Sequence, residues 1–174
     1  GSMNWLAHCG SLSKIMSPGL RLGWLVAPPA LLAQAVMCKQ FSDANTSMFA
    51  QATAAAYLQS GRLPAALEKV RTTYAARARQ MGACLRRELG DAVDFTDPQG
   101  GMFFWVRLTG ARGTTQDAAA YAQQAIQHLV AFVPGAAFFA EKPDPAFLRM
   151  SFATANEDSI EQGVIRMAQA LQQA

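Results

Sequence analysis

The longest regular pattern of apolar positions runs through Leu67, Val70, Tyr74, Ala78, Met81, Leu85 and Leu89. Steps of three and four put these residues on one face of a helix. Pro64 stands near its start and Gly90 just past its end, which suits a helix over about 64–89. One stripe of that length predicts the longest helix of the chain, lying across a sheet. The period then shortens. Ala92–Phe95 reads as a strand, Asp97-Pro98-Gln99-Gly100-Gly101 as a turn, and Met102–Leu108 as the second arm of a hairpin. Thr114-Thr115 can cap a helix over about 116–128, with Asp117 in its first turn. Val130–Val133 reads as a strand ended by Pro134-Gly135, and Phe147–Phe152 as another. Asn156 can cap a last helix whose Ile160, Val164, Met167 and Leu171 share a face. This succession buries its faces most simply as helices packed on one small sheet.

The pattern before residue 61 differs. Two apolar runs, Trp5–Cys9 and Leu22–Ala27, flank a segment rich in Ser, Pro and Gly, and read as strand, loop, strand. Pro28-Pro29 ends the second strand and opens a helix over 30–42. Ser42–Ser47 breaks it with cap-type residues, an alanine-rich helix follows over about 47–59, and Ser60-Gly61 breaks the pattern again. There is no internal repeat and no low-complexity linker.

Composition adds bounds. The 174 residues suffice for one domain or slightly more, and 51% hydrophobic with 16% charged residues is ordinary for a globular protein. No apolar run reaches the ~18 residues of a membrane span. No secretory leader is visible, and Gly1-Ser2-Met3 reads as an expression scar. Cys9, Cys38 and Cys84 are an odd number without C-x-x-C spacing, and read as reduced, buried thiols of a cytoplasmic protein. His8 and His128 are isolated, so no metal site is expected, and His8 reads as a packed strand residue. The net charge of +3 raises the question of nucleic acid. Arg62, Lys69, Arg71, Arg77, Arg79, Arg86 and Arg87 read instead as the solvated face of the long helix, because no aromatic residues, helix-turn-helix or zinc pattern accompany them.

The chemistry concentrates in Ser11-Leu12-Ser13-Lys14-Ile15-Met16-Ser17-Pro18-Gly19-Leu20-Arg21-Leu22-Gly23-Trp24. A lone loop lysine is ordinarily a solvated charge. Here an amine able to form an imine stands beside hydroxyls and a guanidinium able to hold a phosphate, which suggests pyridoxal phosphate. The string resembles the lysine segment of the fold-type I pyridoxal-phosphate enzymes, aminotransferase class I/II, whose pattern is S-x-S-K-x-x-x-P-G-x-R-x-G-W. It matches at Ser11, Ser13, Lys14, Pro18, Gly19, Arg21, Gly23 and Trp24. The resemblance implies that Lys14 is the imine lysine and catalytic base, and that Ser11, Ser13 and Arg21 contact the phosphate.

Phe147-Leu148-Arg149-Met150-Ser151-Phe152 is the second such stretch. An arginine among apolar strand residues is costly unless paired. The plain alternative is an edge-strand arginine directed into solvent, as expected of Arg107. The string resembles the family's L-R-x-x-F segment, which implies that Arg149 binds the substrate's α-carboxylate. Pro98–Trp105 resembles the family's P-x-G-G-M-F-x-W hairpin, and Val133–Phe138 its V-x-P-G-x-x-F loop. Core and turn chemistry accounts for both equally well. Asn45–Ser47 falls where family members place a segment near the partner subunit's site.

On this resemblance the chain is the C-terminal part of an α/β enzyme: the end of a large pyridoxal-phosphate domain followed by a small C-terminal domain. Residues 1–27 correspond to the last strands of the cofactor domain, 28–60 to connecting helices, and 61–174 to the small domain of helices on a small sheet. The implied activity is transfer of an amino group between an amino acid and a 2-oxo acid, by a homodimer. Thirteen residues precede Lys14 and none is Asp or Glu, so an acid for the pyridine nitrogen is not among them. The expectation is therefore an inactive fragment with weak or absent cofactor. The alternative is the effector-sensing domain of a GntR-type transcriptional regulator, in which nucleic acid is bound only through an N-terminal domain absent here.

Overall fold

The 26-residue helix α3, Leu63–Glu88, has the place and length that its apolar stripe predicts in this computed structural model, which describes residues 6–173. Met81, Gly82, Cys84 and Leu85 are buried along it, and Leu89 just beyond. Val70 is 40% exposed, so the stripe's early part does not lie in the core as expected. Gly82 has a packing reason. A Cβ there would fall 2.8 Å from Asp97 Oδ1 and 3.4 Å from the Phe104 ring, so its absence lets the helix lie close to the hairpin. Arg86 and Arg87 in the last turn suit its carbonyl end. They also form ion pairs, Arg86 with Asp97 and Arg87 with both Glu88 and Glu161. Arg87 is held above the usual guanidinium range, first by its hydrogen bond to Glu88.

The chain divides into two units, with the boundary between Lys69 and Val70 inside α3. In the unit from Val70 onward, four strands form one antiparallel sheet: β3 (Val93–Phe95), β4 (Phe103–Leu108), β5 (Val133–Pro134) and β6 (Phe147–Ser151). Their order is β3-β4-β6-β5. Alternation divides the side chains between two faces. Phe104, Val106 and Leu108 of β4 and Leu148 and Met150 of β6 are buried. They share one core with α3, α4 (Ala118–Gln127) and α5 (Glu157–Leu171). Burying a side chain the size of Leu85, Leu108 or Leu148 stabilises by about 1.5–3 kcal/mol each. The Tyr121 hydroxyl on α4 donates to Met167 O on α5 at 2.8 Å. Phe103, Trp105 and Arg107 of β4, with Phe147, Arg149 and Ser151 of β6, alternate onto the other face.

In the unit up to Lys69, β1 (His8–Ser11) and β2 (Gly23–Val26) form an antiparallel pair. Two helices follow, α1 (Pro29–Ser42) and α2 (Met48–Gln59), the second capped by Ser47, whose hydroxyl accepts from Ala50 N. Ala50 and Ala54, one turn apart, are the buried residues of α2, and α1 has none. Phe41, Met48 and Phe49 are 88%, 72% and 82% exposed. No helix among the described residues is long and apolar enough to cross a membrane.

Several details depart from the sequence reading. The strand expected over Val130–Val133 is only the two-residue β5, Val133–Pro134, although it ends at Pro134-Gly135 as expected. An edge strand that pairs only with β6 tolerates proline. Val130 instead donates its N–H to Ala125 O, behind the helix. Asp117 is itself the cap of α4, accepting from Ala119 N and Ala120 N, while Thr115 Oγ accepts from Asp117 N. The first strand starts later than expected, and Trp5 lies outside the described residues. His8 is exposed rather than packed, and so are Cys9 and Cys38. Only Cys84 of the three cysteines is buried, and burial pushes its thiol pKa up. Arg107 is not on an edge strand: β4 is internal, and Arg107 Nε lies 3.7 Å from Asp144 Oδ2.

Candidate active site

The lysine segment is one closed loop between paired strands. Leu12 N donates to Leu22 O, and Leu12 O accepts from the N–H groups of Ile15, Met16 and Ser17. Leu12 is buried, so the turn winds around an anchored residue while Lys14 stands exposed at its outside. The Ser13 N–H donates to Ser11 Oγ at 3.1 Å, and the Ser11 hydroxyl reaches Leu22 O at 3.4 Å. The Ser13 hydroxyl and the Lys14 amine have no partner among the described residues.

Pro18–Leu20 forms one turn of 3-10 helix, and Arg21 follows at φ 53° and ψ 38°. That left-handed conformation costs a non-glycine residue about 1–2 kcal/mol, and such strain gathers at functional sites. The Arg21 guanidinium makes one bond, from Nη1 to Pro18 O at 3.3 Å, and is otherwise exposed. A cleft of about 440 Å³ is lined by Gly19, Leu20 and Arg21 together with Asp43, Asn45, Thr46 and Ser47. The strands that carry the loop depend on two glycines. A Cβ on Gly10 would fall 2.1 Å from the ring of Trp24, its cross-strand neighbour, and one on Gly23 would fall 2.9 Å from Gly10 O. The Gly-Trp pair at the end of the motif thus has a packing reason, and Gly10 is a position that sequence reading missed.

The donor set fits a phosphorylated aldehyde. Two hydroxyls and a guanidinium supply phosphate donors, and a primary amine is the group that engages an aldehyde. Ser11, Ser13, Lys14 and Arg21 thus share one loop of the unit that ends at Lys69.

Arg149 belongs to the unit that begins at Val70. It sits on β6 opposite Trp105 of β4 and Val133 of β5. Its guanidinium carbon lies 4.2 Å from the centroid of the Phe103 ring and 4.3 Å from that of Phe138. Its Nε is buried without a hydrogen-bond partner. Among the described residues no carboxylate pairs with it, so a fork of donors is left for an external acceptor. Sequence reading placed Phe103 and Phe138 in motifs but gave them no role toward Arg149. The signal was alternation across the hairpin, which needed the β4–β6 register to be read.

Comparison with known proteins places this fold and loop in a family. The family described as aminotransferase class I and II matches residues 2–167, and the chain belongs to it. The 2-aminoadipate transaminase of Thermus thermophilus is 39% identical over 164 residues, covering 94% of this chain and 40% of the relative. Aromatic-amino-acid aminotransferase 1 of Thermococcus litoralis is 32% identical, covering 95% and 39%. Among solved structures, alpha-aminoadipate aminotransferase LysN of Thermus thermophilus, complexed with N-(5'-phosphopyridoxyl)-L-leucine, superposes with a TM-score of 0.86 at 37% identity, covering 96% of this chain and 42% of that one. Helix-turn-helix regulators match as well: TauR of Rhodobacter capsulatus is 29% identical, covering 95% of this chain and 34% of the relative. The chain spans about two-fifths of the length of the aminotransferases it matches.

Proposed function

We propose that this chain is the lysine- and arginine-bearing part of an aminotransferase that moves an amino group between an amino acid and a 2-oxo acid. The observation that supports this most is the single loop that carries Ser11, Ser13, Lys14 and Arg21 together, within a family match over residues 2–167. The cofactor of this family is pyridoxal phosphate. When bound, it supplies an electron sink for the bond broken at the substrate's α-carbon. Ser11, Ser13 and Arg21 would hold its phosphate and Lys14 its aldehyde. Released from the aldehyde when the substrate's amine takes its place there, Lys14 Nζ would accept the proton from the α-carbon and return it during transfer. Arg149 receives the substrate's α-carboxylate and fixes the orientation of the reacting bond. Residues 1–27 correspond in this reading to the end of the cofactor domain, 28–60 to connecting helices and 61–174 to the small domain. The working assembly is a homodimer. The 174-residue chain alone is inactive and holds cofactor weakly, because Lys14 and Arg21 are exposed and few groups converge on the loop.

The test uses the full-length protein with L-2-aminoadipate, L-phenylalanine and L-leucine as donors and 2-oxoglutarate as acceptor. Lys14→Ala should lower kcat by about 10³-fold or more, and Arg149→Lys should raise KM for the donor by about tenfold or more. Undiminished turnover in Lys14→Ala would refute the assignment. The match to TauR favours a second reading, an effector-binding domain of a transcriptional regulator. In that case none of the donors turns over, and the full-length protein binds DNA.

A further inference from the structure

The other charge clusters of the sheet unit differ from Arg149 in one respect. Arg86, Arg87 and Arg107 each meet a carboxylate. Arg149 meets two ring faces, and its Nε lies buried with no acceptor. A guanidinium carries its positive charge over a plane and its N–H donors in that plane. A carboxylate on the protein binds the in-plane edge, and so occupies the groups a ligand carboxylate needs. An aromatic ring binds the charge through its face and leaves the edge untouched.

The two rings come from independent elements. Phe103 projects from β4, on the same side of the sheet as Arg149. Phe138 ends the 3-10 turn Gly135–Phe138 that follows β5. That turn is seated tightly on the sheet: a Cβ on Gly135 would fall 2.7 Å from both Phe147 O and the Trp105 ring. Trp105 also meets Phe138 edge-on, with centroids 5.9 Å apart. Both rings therefore lie against the sheet face on which Arg149 stands.

We propose that Phe103 and Phe138 are positioning residues for Arg149: their faces hold the guanidinium in place of a carboxylate and keep its donor edge open for the substrate's α-carboxylate. This rests on the assignment of Arg149 as the carboxylate-binding arginine. It gives the Pro98–Trp105 hairpin and the Val133–Phe138 loop a shared purpose beyond turn and core packing.

The experiment is steady-state kinetics of the full-length protein with L-phenylalanine and L-leucine, set against 2-phenylethylamine and 3-methylbutylamine, which lack the carboxyl group. Phe138→Leu and Phe103→Leu should each raise KM for the amino acids by about tenfold, with kcat within about threefold. Phe138→Tyr keeps a ring face and should stay within about twofold of the parent protein. The carboxyl-free amines should react equally, however slowly, in all variants, and the dissociation constant of pyridoxal phosphate should not change. Unchanged KM in both Leu variants, while Arg149→Lys raises it, would overturn the positioning role alone. An equal loss for amines and amino acids, or a loss in Phe138→Tyr as large as in Phe138→Leu, would overturn it as a general structural effect. No effect of Arg149→Lys itself would remove the assignment on which it rests.

Discussion

Tyr121 is fully buried, and burial pushes its phenol pKa well above the ordinary value near 10. The folded chain therefore holds this proton more tightly than the unfolded chain. Its contribution to stability is complete below about pH 10 and is lost as pH rises through the folded-state value. Urea midpoints at about pH 8 and about pH 10.5 should show that loss, and Tyr121→Phe should flatten it. At neutral pH the same substitution removes the bond to Met167 O and should cost about 1 kcal/mol. An alkaline slope as steep in Tyr121→Phe as in the parent would show that other groups carry it. Residues of this kind were partly legible in the sequence. Lys14 and Arg149 were singled out by their motifs, and their different surroundings were not foreseen: Lys14 is an exposed amine on a turn, whereas the Arg149 guanidinium lies over rings from two other elements. The contact with Phe103 joins residues 46 positions apart (149 − 103), which no local pattern reports.

The helix α3 shows how far an apolar stripe can be read. Its bounds were legible, because Pro64 and Gly90 stand at its ends and the three-four spacing is unbroken. Which part is buried was not legible, since that depends on the sheet beneath. Leu85 is fully buried and Val70 is 40% exposed. Leu85→Ala should destabilise by about 2–5 kcal/mol, and Val70→Ala by about 0.5 kcal/mol or less. Denaturant midpoints would check both, and equal costs would mean that the stripe is used uniformly. The strands divide in the same way. Met102–Leu108 was read as a strand without assigning its faces, and the structure buries Phe104, Val106 and Leu108 on one of them. The four residues Val130–Val133 were too few to separate a strand from a segment whose first N–H closes the end of α4. Thr114-Thr115 and Asp117 offered three cap-type side chains within four positions, and hydrogen-bond geometry selected Asp117.

Over the whole molecule the two units differ in how much apolar surface they leave open. Helices α1 and α2 expose Phe41, Met48 and Phe49, and β2 exposes Trp24 and Val26. In the homodimer proposed above, a second copy of the chain would cover such exposed apolar side chains. A homodimeric assembly predicts that sedimentation of the full-length protein gives twice the chain mass, and that Phe49→Asp shifts it toward monomer. A clean monomer at high concentration would contradict the dimer. The account as a whole depends on the loop around Lys14. The most direct measurement is reduction of the full-length protein with borohydride in the presence of pyridoxal phosphate, followed by peptide mapping. The prediction is about one label per chain, on Lys14 and not on Lys39, Lys69 or Lys142, with Arg21→Ala weakening cofactor binding by about tenfold or more. Saturating label on one of the other lysines, or no label at all, would contradict it.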